Sequence, residues 1–306
     1  MKKYDLFILV KKSILVVSLP VMGVLWLSSN SAQERPTLTP EQFERVQIQS
    51  VPGKDGLFII PGFDGSLSGG NVAVRVTEAG VIIVDNKFVY SYQDIIRQVS
   101  SVTSQPIRYV LNTHHHFDHA GSNADFMPDA QVIGHSNVGV NMARNQQEGS
   151  PNIQFEKSTS VYLGGVEVQA HHFGRGHTNG DSVILFPELQ TVHTGDLFVW
   201  GDRLDGSTLA PFIDYANGGS AAQWTATLDG VLSLDFDTVI PGHGPILRKT
   251  DIRIFRSKFD QLLTRIRSLI DNGVNRNAIA EELNIEDLNW PLSPAAIQAI
   301  FDELSI

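Results

Sequence analysis

Histidines and aspartates in this chain stand where short apolar runs end. The run IRYVLNT (107–113) leads into HHHFDHAG, which holds four of the ten histidines of the chain. Later runs lead to GHT (176–178), HTGD (193–196) and PGHG (241–244), and a glycine in each lets backbone segments approach closely. Loops at the ends of strands carry the ligands of many α/β proteins. We therefore expect a fold that brings these strand ends together.

The apolar patterning predicts two sheets with helices outside them. β-Branched runs bounded by turn residues predict strands at 57–60, 71–76, 80–85, 107–113 and 237–244, with four short strands between 160 and 195. Periodicity and capping predict helices at 89–104, at 136–147, after Ser220, and over 250–273. The first three strands are expected to form an antiparallel meander. This order of elements predicts an α/β fold of two packed sheets.

Composition excludes several classes of protein. The net charge is −10 and no basic stripe is present, which argues against a nucleic-acid partner, because phosphate contacts need clustered lysine and arginine. The chain has no cysteine, so it forms no disulfide, thiolate metal site or catalytic thiol. Any metal must therefore be held by histidine, aspartate or glutamate.

The N-terminal segment, 1–32, has the three parts of a secretory signal peptide. Four lysines and one aspartate precede an apolar stretch and a small polar region, with cleavage expected after Ala32. An uncleaved anchor is the alternative, although Pro20 and Gly23 weaken the apolar stretch as a helix and it is short for a membrane span. Cleavage would remove a net positive charge and leave the chain near −13. We expect a protein exported to a bacterial periplasm or exterior, with no stable membrane association.

The histidine-rich stretch offers ligands for two cations. His114 and His116 are two residues apart, so at an extended strand end both can point the same way. Asp118 and His119 follow after the chain turns and can serve a second, nearby cation, whereas His115 points elsewhere. A solvated loop is the alternative for this stretch alone, and the histidines at the other strand ends argue against it.

The motifs VIIVD (81–85), THHHFDHAG, GHT, GD and PGHG, in this order, resemble the metallo-β-lactamase superfamily of metal-dependent hydrolases. The resemblance extends over about residues 57–247. It implies an αβ/βα four-layer sandwich of two mixed β-sheets with helices on the outer faces and a dinuclear, usually zinc, site between the sheets. It also implies a catalytic domain at 57–248, while the sequence pattern predicts a lead-in at 33–56 and a helical extension at 249–306 that packs on the domain.

Carried over position by position, the resemblance assigns seven metal ligands. The first metal would be bound by His114, His116 and His177. The second would be bound by Asp118, His119 and His243, with Asp196 bridging both. Two Zn²⁺ ions suit neutral imidazoles and carboxylates, although iron or manganese could occupy the same site.

The expected reaction is hydrolysis by a hydroxide shared between the two metals, because two cations lower the pKa of bound water towards neutrality. Asp118 would orient this hydroxide for attack on a carbonyl carbon, and is therefore the expected catalytic residue as well as a ligand. Asp85, which ends the first motif, either orients a ligand histidine from behind or lies in a surface turn. His193 is expected to lie behind the ligands or in the core rather than to bind a metal.

Two long loops, 61–71 and 198–219, lie beside the expected site and offer substrate contacts. The candidates are Phe63, Trp200, Arg203, Tyr215 and Asn217. Arg203 and Asn217 could hold a substrate carboxylate. The best-known lactamase subclass has cysteine where this chain has Asp196, and aspartate there is typical of glyoxalase-II-like thioesterases and lactonases.

These observations predict an exported dinuclear zinc hydrolase that opens a small carbonyl substrate, namely a β-lactam or a related cyclic amide or ester. A lactonase or thioesterase of the same superfamily is one alternative. The others are a mononuclear iron enzyme of the persulfide dioxygenase type and a non-catalytic metal-binding protein. The complete second ligand set argues against both of these.

Overall fold

Two mixed β-sheets form the centre of the chain. The computed structural model describes residues 35–306, so the predicted signal peptide at 1–32 lies outside the described residues. The strands of the first sheet follow chain order: β1 (Gln49–Ser50), β2 (Leu57–Ile60), β3 (Val72–Thr77), β4 (Gly80–Val84), β5 (Ile107–Leu111), β6 (Gln131–His135) and β7 (Ile153–Phe155). Neighbours from β1 to β4 pair antiparallel, and those from β4 to β7 pair in parallel. The predicted meander is β2, β3 and β4.

The second sheet has six strands in the spatial order β13, β12, β11, β10, β9, β8. They are β8 (Ser158–Leu163), β9 (Val166–His171), β10 (Val183–Phe186), β11 (Thr191–His193), β12 (Thr238–Ile240) and β13 (Leu247–Arg248). The neighbours β11 and β12 pair in parallel, and all others pair antiparallel. The parallel pair places two carboxyl strand ends side by side, which is where ligand loops gather in α/β sheets.

The described residues contain nine α-helices. They are α1 (Pro40–Arg45), α2 (Tyr92–Ser100), α3 (Phe117–Ala120), α4 (Asn123–Phe126), α5 (Ser136–Arg144), α6 (Ala221–Leu232), α7 (Lys249–Asp271), α8 (Ile279–Glu282) and α9 (Pro294–Leu304). Ser220 caps α6 as expected, because its hydroxyl accepts a hydrogen bond from Gln223 N at 3.1 Å. The helix expected at 89–104 is shorter, since it begins with a 3-10 turn at Val89 and ends at Ser100.

Three apolar cores arrange the sheets and helices in four layers. One core fills the space between the sheets, with Leu57 and Ile82 from the first sheet and Ile184 and Phe186 from the second. Another joins the outer face of the first sheet to α2 and α4. The remaining core joins the outer face of the second sheet to α6, α7 and α9. The predicted αβ/βα sandwich of two mixed sheets is therefore confirmed.

The helices after residue 249 share their core with the second sheet. Phe255 and Phe259 of α7 lie between Trp224 of α6 and Trp290, with ring centroids 5.0–6.3 Å apart. Ile300 of α9 belongs to the same buried cluster. Within residues 35–306, no helix combines the length and the apolarity needed to cross a bilayer.

Replacing Phe255 with alanine tests how much this core contributes. The ring is fully buried, so Phe255→Ala is expected to lower the free energy of unfolding by about 3–5 kcal/mol. The neighbouring Ile254 is 49% exposed, and Ile254→Ala is expected to change it by no more than about 0.5 kcal/mol. Denaturant titration measures both values, and equal losses in the two variants would contradict the packing described here.

Candidate metal centre

Strand ends from both sheets meet at one edge of the sandwich, and the predicted ligands follow directly after them. β5 ends just before His114 and His116, β11 just before Asp196, and β12 just before His243. The single turn of α3 carries the remaining two ligands of the histidine-rich stretch, and the loop between β9 and β10 carries the last histidine. All seven predicted ligands are thereby brought together in two groups with one carboxylate between them.

His114, His116 and His177 form the first group. Nε2 of His114 lies 3.2 Å from Nδ1 of His116, and Nε2 of His177 lies 2.9 Å from that same atom. A tetrahedral Zn²⁺ with bonds of about 2.0–2.1 Å to nitrogen separates its ligand atoms by roughly 3.3 Å. The three nitrogens therefore have the spacing that one such cation requires.

Asp118, His119 and His243 form the second group. Nε2 of His243 lies 3.2 Å from Nε2 of His119 and 3.2 Å from Oδ2 of Asp118. Nε2 of His119 lies 3.5 Å from Oδ2 of Asp118. These separations also match the ligand spacing around a single tetrahedral cation.

Asp196 lies between the two groups. Its Oδ1 is 3.2 Å from Nε2 of His119, and its Oδ2 is 3.6 Å from Nε2 of His177. Oδ1 is buried and accepts no hydrogen bond of normal geometry from the described residues, which suits a carboxylate oxygen that binds a cation. The close approach requires glycine at Gly242, where a Cβ would lie 2.0 Å from Oδ1 of Asp196.

Two histidines of the first group are held by the long loop between β11 and α6. Nδ1 of His177 donates to the carbonyl oxygen of Phe212 at 2.7 Å. Nε2 of His116 donates to Oδ2 of Asp214 at 2.9 Å. Each hydrogen bond places the ring proton on the nitrogen that faces away from the group, which leaves the lone pair of the other nitrogen free for a cation.

Asp85, at the end of β4, contacts residues of both groups from behind. Its buried carboxylate accepts hydrogen bonds from Nδ1 of His119 at 2.8 Å, from Thr113 N at 2.8 Å and from the Thr113 hydroxyl at 2.7 Å. That hydroxyl lies 3.0 Å from Nδ1 of His114. Asp85 therefore orients one predicted ligand directly and a second one through Thr113.

His193 hydrogen-bonds the backbone of the turn before Asp196 rather than a ligand side chain. Its Nδ1 accepts a hydrogen bond from Gly195 N at 3.2 Å, and its Nε2 donates to the carbonyl oxygen of Asn71 at 3.0 Å. The Asn71 amide donates in turn to the carbonyl oxygens of Pro241 and Gly244. One buried histidine thus links the start of β3 to both turns that follow the parallel pair.

Burial and neighbouring charges give the two ligand groups different protonation states. Burial lowers the pKa of His177 to about 4, and burial holds the pKa of His114 well below its ordinary value. Burial alone would raise the pKa of Asp196, yet the imidazoles of His243 and His119 hold it well below the ordinary value of aspartate. Burial would lower the pKa of His119 and His243, yet the carboxylates of Asp196 and Asp118 raise it, to about 9 for His243 and well above the ordinary value for His119. Because Zn²⁺ binds neutral imidazole, its binding to the second group releases protons.

A cleft of about 240 Å³ opens onto the two groups. Its wall is mostly apolar beyond the ligands, with Val199, Leu209, Ala210 and Phe212, and Arg203 is the cation among its lining residues. The ring of Phe212 is 62% exposed at the mouth. Of the five predicted substrate contacts, only Arg203 lines this cleft.

The other four predicted contacts have different partners. The Arg45 guanidinium lies 4.3 Å from the ring centroid of Phe63. Trp200 packs against the helical core of the second sheet. The Tyr215 hydroxyl donates to Glu303 at 3.0 Å, and the Asn217 amide donates to Asp214 at 2.7 Å. None of these four lines the cleft, and their role as substrate contacts stays a prediction.

Sequence reasoning missed Asp214 and Lys87. Asp214 stands in no motif, and it is also the nearest carboxylate to the fully buried His115, at 4.0 Å. The Lys87 ammonium donates to the carbonyl oxygens of Pro61, Ser68 and Gly70 at 2.7–2.9 Å, and so holds the 61–71 loop at the edge of the cleft. Only contacts between distant segments reveal either role.

Comparisons with known proteins match the fold and the motifs. A family profile described as the metallo-β-lactamase superfamily matches residues 69–243. The chain is 24% identical over 238 residues to the 2,4-dinitroanisole O-demethylase subunit alpha of Nocardioides sp. (strain JS1661). The aligned region covers 76% of this chain and 63% of that protein's length. The chain is also 23% identical over 188 residues to the metallo-β-lactamase type 2 of Bacillus cereus, covering 60% of this chain and 70% of that one.

A solved structure gives the same result for the fold. The metallo-β-lactamase from Pontibacter korlensis superimposes with a TM-score of 0.60 at 18% identity, over 70% of this chain and 99% of the other. Two sheets with histidine and aspartate groups at their shared edge define a class of metal-dependent hydrolases. The chain belongs to the metallo-β-lactamase superfamily, and it is a hydrolase of that superfamily.

Replacing Asp85 with asparagine tests the support behind the ligands. Because an amide cannot accept from three donors as a carboxylate does, Asp85→Asn is expected to weaken Zn²⁺ binding about 10- to 100-fold. The exposed Asp129 provides the control, since Asp129→Asn is expected to bind Zn²⁺ as the unaltered protein does. Competition with a chromophoric chelator measures the affinities, and unchanged binding by Asp85→Asn would refute its assigned role.

Proposed function

We propose that this chain is an exported dinuclear zinc hydrolase that opens a small carbonyl substrate, a β-lactam or a related cyclic amide or ester. The observation that carries the proposal is the position of Asp196, whose two carboxylate oxygens face different groups of ligands. One carboxylate that faces both groups suits two cations held close together. The basic, apolar and small-residue parts of 1–32 support export.

The donor set fits Zn²⁺, with His114, His116 and His177 for one ion, Asp118, His119 and His243 for the other, and Asp196 for both. Zinc bound there supplies Lewis acidity and makes water a nucleophile at neutral pH. Asp118 is the carboxylate placed to orient that water, because it lines the cleft and its Oδ2 faces His243. The superfamily resemblance supports these assignments.

The cleft supports a small, partly apolar substrate that carries a negative charge. Val199, Leu209 and Phe212 offer apolar contacts on one side of the metal groups. Arg203 can hold a carboxylate with two parallel hydrogen bonds. A bicyclic or monocyclic amide with a carboxylate next to the scissile bond combines these features.

Hydrolysis of a lactone or thioester is the second candidate function. It is favoured by the carboxylate of Asp196 at the position where the best-known lactamase subclass has cysteine. A mononuclear iron enzyme and a non-catalytic metal-binding protein are less well supported, because both ligand groups are complete and an open cleft leads to them.

A hydrolysis panel tests the proposal. The purified protein is expected to hold two zinc ions per chain and to hydrolyse β-lactams or cyclic esters, with activity lost on chelation and restored by Zn²⁺. Substrates with a free carboxylate are expected to react faster than their methyl esters, because only the free acid pairs with Arg203. One iron per chain would refute the dinuclear zinc assignment, tight metal binding without turnover would refute catalysis, and turnover of thioesters alone would favour the second candidate.

Replacing Asp118 with asparagine tests its catalytic role. Because an amide is a poor proton acceptor, Asp118→Asn is expected to lower kcat about 10²- to 10⁴-fold while KM stays close to its original value. The exposed Asp125 on α4 is the control, and Asp125→Asn is expected to leave both constants unchanged. Steady-state kinetics with verified metal content decides, and a metal-loaded, fully active Asp118→Asn enzyme would show that this carboxylate is dispensable.

A further inference from the structure

The loop 212–220 controls the orientation of two histidines in the first group. Its Phe212 carbonyl and Asp214 carboxylate accept the hydrogen bonds that fix the rings of His177 and His116. The backbone adds a further contact, because Asp214 N donates to the carbonyl oxygen of His177 at 2.9 Å. Any group that holds the loop in place therefore also holds these two rings.

Glu303, on α9, contacts the loop along its second half. Its carboxylate accepts hydrogen bonds from the Tyr215 hydroxyl at 3.0 Å and the Ser220 hydroxyl at 2.5 Å. It also accepts from Ala221 N at 2.8 Å and Ala222 N at 3.3 Å, at the start of α6. Two donors from the loop and two from the start of α6 thus converge on one side chain from the C-terminal helix.

These contacts do more than cap a helix. Ser220 already caps α6 through Gln223 N, so the helix start has its own cap without Glu303. The positive end of α6 and the four hydroxyl and amide donors favour a carboxylate over any neutral side chain. The Tyr215 contact is the one that helix capping does not require, and it lies next to Asp214.

We propose that Glu303 is a positioning residue for the metal centre, which holds the loop 212–220 so that Phe212 and Asp214 keep His177 and His116 aimed at the first cation. The inference rests on the proposed function, in which these histidines bind zinc. It gives the helical extension a part in the site, although α9 lies beyond the residues that match the family profile.

Glu303→Gln tests the proposal, because the glutamine amide has the same size but turns an NH₂ group towards donors. In a His243→Ala background only the first ligand group is complete, and there Glu303→Gln is expected to weaken Zn²⁺ binding about tenfold. In a His177→Ala background only the second group is complete, and its affinity is expected to stay unchanged. Asp302 is the matched control on the same helix, since it pairs with Arg276 at the surface and Asp302→Asn is expected to leave both affinities unchanged.

Hydrogen exchange of the metal-free protein provides a readout that needs neither zinc nor substrate. Amides of 212–222 are expected to exchange faster in Glu303→Gln than in Asp302→Asn, with the rest of the chain unaltered. Equal loss of affinity in both groups together with a lower melting temperature would indicate a general structural role and overturn the proposal. Unchanged affinity and unchanged exchange would also overturn it, while two bound zinc ions and hydrolysis in the unaltered protein would leave the proposed function standing.

If Glu303→Gln does not fold, Tyr215→Phe carries the test, since it removes one hydrogen bond and leaves the start of α6 intact. Tyr215→Phe is expected to weaken Zn²⁺ binding by the first group by a smaller factor than Glu303→Gln does. It is also expected to speed amide exchange in 212–222. Wild-type affinity and exchange in Tyr215→Phe would overturn the proposal.

Discussion

Ionisable side chains between two apolar sheets cost free energy unless each is paired, and the site depends on how this chain pairs them. His119, His116 and His177 use their outer nitrogens to donate to Asp85, to Asp214 and to a backbone carbonyl, respectively. The pairing offsets desolvation and at the same time fixes the direction of each ring. Stability and metal affinity therefore come from the same hydrogen bonds.

The first and second sheets contribute differently to this arrangement. The first sheet supplies a compact local segment, in which one strand end and one helical turn carry four predicted ligands between His114 and His119. The second sheet supplies single residues from three separate loops, and the parallel pair of β11 and β12 brings two of them together. The glycines of the turns matter most on this side, as the contact of Gly242 with Asp196 shows.

The two-sheet fold could be predicted from the sequence because short-range patterns determine its strands and helices, and the motifs that resemble the superfamily predicted which histidines and aspartates lie together at one edge. Strand runs, helix caps and the spacing of His114, His116 and Asp118 are local features, and the fold they predict is the one observed. Asp214 and Glu303 could not be found in this way, since their partners are distant in the chain. The same reason explains why Tyr215 and Asn217, chosen for their position in a long loop, contact the protein and not the cleft.

The chain separations within the two ligand groups have a consequence for how the protein folds. His116 and His177 are 61 residues apart, whereas His119 and His243 are 124 residues apart. Closing the longer segment costs more chain entropy, by about 0.6 kcal/mol for a doubling of the chain length between the ends. The second group is therefore the more costly of the two to assemble, and it depends on the parallel pairing of β11 and β12, which places the turn of His243 beside that of Asp196.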